Sequence, residues 1–158
     1  MFGPGEGIEV ANDGVSDTRW VVRPAPDKRF TLTTSVGNNG RVPVTIERLA
    51  RDRQLLGWVV KASYATYDRR GRVAQSGPIR DVTLHEGEWI EVRLTFQIPH
   101  CWHFYGEGGF TWLDALRWRT RALGVGGVSE TRVADEMPLT VLAQKVGTRP
   151  ADCPPLGQ

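Results

Sequence analysis

The most regular feature of the chain is a two-residue alternation of apolar and polar side chains. Phe30, Leu32, Thr34 and Val36 alternate with Arg29, Thr31, Thr33 and Ser35, the period of a strand with one face turned to a core. Gly37-Asn38-Asn39-Gly40 follows, residue types that tolerate positive φ. Val42, Val44 and Ile46 then resume the alternation, which predicts strand, tight turn and strand. Pro43 falls on the outward phase near the start of the second strand, where a missing N–H is tolerated. A third run, Trp58, Val60, Ala62 and Tyr64, ends at the polar stretch Tyr67 to Arg72 and predicts a hairpin into a partner near Val73. After Gly87, Ile90, Val92, Leu94, Phe96 and Ile98 alternate with Trp89, Glu91, Arg93, Thr95 and Gln97 until Pro99. Burying such an inward set stabilises by roughly 1.5–3 kcal/mol per side chain before conformational entropy is counted.

Residues 111–123 carry signals for both helix and strand. Thr111 with Asp114 resembles a helix cap, arginines fill the last turn, and Gly124 is a plausible stop. Against this, Leu116, Trp118, Thr120 and Ala122 alternate with Arg117, Arg119 and Arg121, and no helical face separates the two sets as well as a strand from Ala115 does. The glycines at 124, 126 and 127 then turn the chain toward a strand near Thr131–Val133 and a last one over Leu139–Lys145. Trp20-Val21-Val22, close before Pro24, predicts an edge strand. The pattern as a whole predicts an all-β fold, an immunoglobulin-like antiparallel β-sandwich of seven to nine strands. Its expected core is Phe30, Leu32, Val36, Val44, Ile46, Trp58, Val60, Ile90, Val92, Leu94, Phe96, Leu116 and Trp118. Residues 1–17 are expected to form a linker, 18–154 the domain and 155–158 a tail.

Composition narrows the function. The chain of 158 residues has the size of one domain, and 18 Gly with 10 Pro suit a fold with many turns. Lys and Arg number 20 against 18 Asp and Glu, a net charge of +2 that recommends neither nucleic acid nor an anionic membrane as partner. No apolar run reaches the length of a spanning helix, and the first residues lack the pattern of a signal peptide. The two cysteines, Cys101 and Cys153, form an even pair with the second in a Pro-rich tail. A bridge between them is expected, as an isolated pair is commonly used in an oxidising compartment, with two free thiols as the alternative.

The phrase Arg29-Phe-Thr-Leu-Thr-Thr-Ser-Val-Gly-Asn-Asn-Gly-Arg-Val-Pro-Val-Thr-Ile46 resembles the opening hairpin of uncharacterised actinobacterial exported or membrane-anchored Ig-like domains. The amphipathic strand before Cys101, the stretch Leu116 to Gly124 and the Cys153-Pro-Pro ending are similar to that group as well, so the resemblance runs from about Trp20 to Pro154. It implies an Ig-like sandwich and export, secreted or anchored, with the leader or anchor encoded upstream of Met1. It brings no activity to carry over.

One segment concentrates reactive and aromatic side chains: His100, Cys101, Trp102, His103, Phe104 and Tyr105, then Glu107, Phe110 and Trp112 among glycines. Two imidazoles, a thiolate and a carboxylate are metal-ligand types, but neighbours on an extended segment point apart, and a bridged Cys101 is lost as a ligand. No metal and no cofactor is therefore assigned. Trp102, His103, Tyr105 and Trp112 remain as binding candidates for a sugar face or a protein partner, against the alternative that the rings close the end of the core. Arg117, Arg119 and Arg121 would grip an acidic partner, or form a solvated outer face. No Gly-x-Ser-x-Gly, His-Glu-x-x-His, P-loop or Cys-x-x-Cys motif is present, so no catalytic residue is assigned. The expected role is a non-catalytic extracytoplasmic interaction or structural module of the cell envelope. Its partner would be an envelope protein or cell-surface ligand, with no nucleic acid and no membrane contact by the domain itself. The alternative is a domain binding a carbohydrate or metal ion through the His100–Trp112 loop.

Overall fold

A computed structural model describes residues 3–12, 18–22, 27–50, 58–101, 110–113, 115–132, 139–142 and 151–153. Among them are thirteen strands and no helix. They are β1 (Gly3–Pro4), β2 (Glu9–Asn12), β3 (Thr18–Val22), β4 (Arg29–Gly37), β5 (Val44–Leu49), β6 (Val59–Tyr67) and β7 (Val73–Pro78). The chain continues with β8 (Val82–Leu84), β9 (Trp89–Gln97), β10 (Phe110–Leu113), β11 (Ala115–Ala122), β12 (Val125–Arg132) and β13 (Leu139–Leu142).

Two layers enclose the core. Sheet 1 has the order β1-β4-β9-β6-β7 and sheet 2 the order β12-β11-β5-β8, each antiparallel throughout. β4 and β9 run in unbroken register, Phe30 opposite Phe96, Leu32 opposite Leu94, Thr34 opposite Val92 and Val36 opposite Ile90. All eight side chains are buried, because an unshifted antiparallel pair places the two inward phases together. The Phe30 and Phe96 rings stack with centroids 4.8 Å apart, so this cross-strand pair adds contact within the sheet as well as burial. Sheet 2 completes the core with Ile46, Leu84, Leu116 and Trp118. Trp118 is fully enclosed, and its indole N–H donates to Thr131 Oγ1 at 3.1 Å, which satisfies the one polar group such a ring brings inside. A smaller sheet, in the order β10-β13-β3-β2, adds buried Val22 to the same core; within it β13 and β3 are parallel.

Several local expectations are corrected. Gly37 to Pro43 is a crossing between layers and not a hairpin turn, since β4 belongs to sheet 1 and β5 to sheet 2. A primed turn needs positive φ, and among the described residues positive φ falls elsewhere, as at Leu123, Gly71 and Gly87. Asn38 fixes the crossing instead. Its amide donates to Val42 O at 2.8 Å and Leu84 O at 3.0 Å, and its Oδ1 accepts from Gly40 N–H at 2.9 Å. Val60 is 55% exposed, not core, because a register shift between Val59 and Lys61 interrupts the alternation. Val44 and Trp58 are half-buried, while the other expected core residues are buried.

The turn after β11 is formed by Leu123 (φ 50) and Gly124 (φ 79), a type I′ pair, so Gly126 and Gly127 lie inside β12. β3 is an interior strand of the small sheet, flanked by β2 and β13. Residues 3–12 contribute β1 and β2, paired with β4 and β3. These short strands, with β8 and β10, account for a count above nine.

Candidate functional site

The outer phase of sheet 1 is mostly polar and, apart from Val60, its large exposed apolar side chains gather at one end. There Trp89 on β9, Tyr67 on β6 and Val73 on β7 form a row across three adjacent strands, and all three are exposed. The Tyr67 and Trp89 rings lie with centroids 6.5 Å apart. Tyr67 Oη donates to Glu91 Oε1 at 2.9 Å, which holds the phenol against the sheet. That bond, followed by partial desolvation, raises the Tyr67 pKa above its ordinary 10.0, so the hydroxyl stays a donor.

Small residues next to this row leave a trough. Ser63 and Ala65 on β6 and Ser76 on β7 form its floor, with Lys61, Glu91 and Arg93 as its charged rim. The trough has a volume of about 520 Å³, within the range of small-ligand sites, but it is open along one side. It can offer stacking on an aromatic end, hydroxyls on the floor and two cations against one carboxylate. The two described histidines stand elsewhere: His85 bonds Glu88 at a turn, at 3.1 Å, and His100 belongs to the opposite end of β9. The trough therefore holds contact groups and no described imidazole to activate its serines.

The second cluster ties chain ends together. Cys101 and Cys153 are bridged, with Cα atoms 5.4 Å apart, as their parity suggested. Immediately before the bridge, His100 Nδ1 lies 2.7 Å from Asp27 Oδ2, and Nε2 lies 3.3 Å from the Asp152 carboxylate. Both contacts favour the imidazolium, with the Asp27 bond the larger influence, so the His100 pKa is raised above its ordinary 6.5. The Asp152 carboxyl is lowered by its own backbone N–H and then by His100. The imidazole thus joins the start of β4, the end of β9 and the segment 151–153.

His100, Asp152 and Cys153 are close enough to suggest a metal cradle. The chemistry of the donors argues otherwise, since the Cys153 sulfur is spent in the bridge and both ring nitrogens face carboxylates on opposite edges of the imidazole. Cys101 is lost as a ligand for the same reason.

Of the candidates named from sequence, Trp102, His103 and Tyr105 lie outside the described residues. Trp112 is placed on β10, opposite Thr140 of β13. The bridge anchors the start of their segment at Cys101. Tyr67, Val73 and Trp89 were legible only in part: Trp89 stands on the outward phase of the clearest strand, but strand pairing is what brings the other two beside it. No protein-family model matches the chain, and no curated protein matches its sequence.

Proposed function

We propose that the chain is a non-catalytic interaction or structural module of the cell envelope, working outside the cytoplasm. The observation that carries this reading is the exposed Trp89–Tyr67–Val73 row beside the open trough of sheet 1. Aromatic groups held by neighbours present contact area at little entropic cost, and contiguous exposed apolar groups on a soluble domain mark binding surfaces. The Cys101–Cys153 bridge is compatible with an oxidising compartment.

An Ig-like relationship is part of the proposal. β5 pairs with β8 in one layer, while β6 pairs with β7 and β9 in the other. These are the pairings of strands B–E and C′–C–F in an immunoglobulin sandwich. The flanks differ, with β4 beside β9 and β11 beside β5, so first and last strands have exchanged layers relative to that pattern.

Co-sedimentation of the purified protein with envelope fragments of its own organism tests the reading. Wild type is expected in the pellet, and a Tyr67→Ser, Trp89→Ser variant of unchanged thermal stability in the supernatant. Wild type that stays in the supernatant, or a variant that pellets equally well, refutes it.

A further inference from the structure

β12 ends sheet 2, and among the described residues no strand pairs with its other side. Its features are those of an edge left open. It runs eight residues in unshifted register with β11 and carries no proline, no lysine and no bulge, devices that blunt an edge, and its two charged residues, Glu130 and Arg132, stand in its second half. Val128 is 60% exposed, and Leu123 and Val125 at the adjoining turn are more so. Gly126 and Gly127 stand mid-strand with ordinary φ, and a Cβ on either would meet nothing within 4 Å. Among the described residues, neither conformation nor packing calls for them. Glycine within a strand commonly marks the close approach of another backbone.

The hairpin defines which groups face out. The two-residue turn closes on the Ala122–Val125 pair, so β12 bonds β11 through residues 125, 127, 129 and 131. Gly126, Val128 and Glu130 direct N–H and C=O to the open edge. On the outer face of sheet 2, Val128 and Glu130 stand beside Arg119 and Arg117, their partners on β11, and Gly126 leaves the place beside Arg121 without a side chain.

We propose that this edge pairs with the same edge of a second copy, antiparallel, with Val128 on the two-fold axis. That register is fixed by charge. With Val128 opposite Val128 of the second copy, Glu130 falls opposite Gly126, and the next residue in the row is Arg121 of that copy. Gly126 has no side chain to separate the two, and two strand spacings, roughly 10 Å between Cα atoms, lie within the combined reach of Glu and Arg. Glu130 already bonds Arg117 of its own chain at 3.3 Å, so in the pair it lies between two guanidiniums. The two-fold repeats the arrangement on the other side of the axis. An acidic residue opposite Gly126 complements Arg121, which also pairs with Glu47 of its own chain at 3.5 Å, and β12 itself supplies one. Pairing is closed, because each copy uses its only β12 edge.

The test is molar mass by light scattering over a range of concentrations, with two variants. Val128→Pro removes an N–H that faces the open edge and no bond of the hairpin. Gly126→Glu places like charges opposite each other across the axis, while inside one chain it sets a carboxylate beside Arg121. Wild type is expected to dimerise, and each variant to raise the dimer dissociation constant at least tenfold. Gly126→Glu is expected to keep the monomer's thermal midpoint, which separates lost pairing from lost folding. A wild type that is monomeric up to millimolar concentration, an assembly larger than a dimer, or a dimer that survives both variants overturns the proposal.

Discussion

Replacing Asn38 tests the crossing between the two layers. Its side chain is buried and makes three hydrogen bonds, two of them donated to carbonyls of Val42 and Leu84. The Leu84 carbonyl belongs to a buried residue on the facing sheet, so Asn38→Ala leaves an acceptor without a partner where water does not reach. Each buried group stranded in this way costs about 1–3 kcal/mol, and a loss of about 2–3 kcal/mol is expected overall. For a domain of this size that lowers the thermal midpoint by roughly 4–12 °C. Asn38→Asp is the sharper perturbation. It keeps the shape but turns a donor into a carboxylate oxygen facing two carbonyl oxygens, so its cost should exceed that of Asn38→Ala near neutral pH. The sign then follows from linkage. The folded state disfavours the charged form and raises the new carboxyl's pKa above its unfolded value of about 3.9, so the excess penalty shrinks as pH falls through the folded pKa. Chemical denaturation of wild type and both variants at pH 7 and pH 4.5 measures this. An Asn38→Asp variant as stable as wild type at pH 7, or one that gains nothing on acidification relative to Asn38→Ala, would show that the amide does not hold the crossing.

Three further outcomes are expected. Removing the bridge with Cys101→Ser and Cys153→Ser, 52 positions apart, should cost about 4 kcal/mol in urea unfolding if chain entropy dominates; an unchanged midpoint contradicts that account. The His100 imidazole should titrate above 6.5 by NMR and fall toward that value in Asp27→Asn. The stability it contributes is fully present below 6.5 and lost as pH rises through the raised pKa, whereas that of Asp152 is lost as pH falls through its lowered one, so the clasp is tightest between them. Val60→Lys should shift the thermal midpoint by no more than about 2 °C, because its side chain is already in water; a collapse would place Val60 in the core.

The core was legible wherever a strand keeps strict alternation. Phe30 to Val36 and Ile90 to Ile98 could be assigned a buried face without knowledge of their partners, since a period of two is a property of the strand alone. The same argument decided residues 115–122, where buried Leu116 and Trp118 separate from exposed Arg117, Arg119 and Arg121 as only a strand allows. Pairing was not legible. Asn38-Asn39-Gly40 is compatible with a primed hairpin, whereas in the structure the bond from Asn38 to Leu84, 46 residues away, ties the chain to the other layer. Val60 stands on the apolar phase of the sequence yet in solvent, because a bulge leaves no mark on hydrophobic periodicity. The clasp combines Asp27, His100 and Asp152, and the aromatic row combines Tyr67, Val73 and Trp89; neither set is contiguous in the chain. The segment His100 to Trp112 stood out for the opposite reason, its density in sequence, which says little about convergence in space.

The two proposed surfaces have a geometric relation that gives a further outcome. A two-fold that joins antiparallel edges of one sheet runs perpendicular to that sheet, so the layers packed on it lie on the same side in both copies. In a dimer built on β12, sheet 1 of each copy therefore covers the same side of the joined sheet 2, and the two Trp89–Tyr67–Val73 rows face one direction. A partner surface with repeated sites, such as an envelope polymer or a packed array of proteins, would engage both. The second contact is then intramolecular, and retention can exceed that of one domain by 10²–10⁴ without a new contact. Val128→Pro touches no residue of the trough, so it should leave affinity for a single soluble site unchanged while weakening retention on envelope fragments at least tenfold. Equal retention of the monomeric variant and wild type would show that the two surfaces act independently.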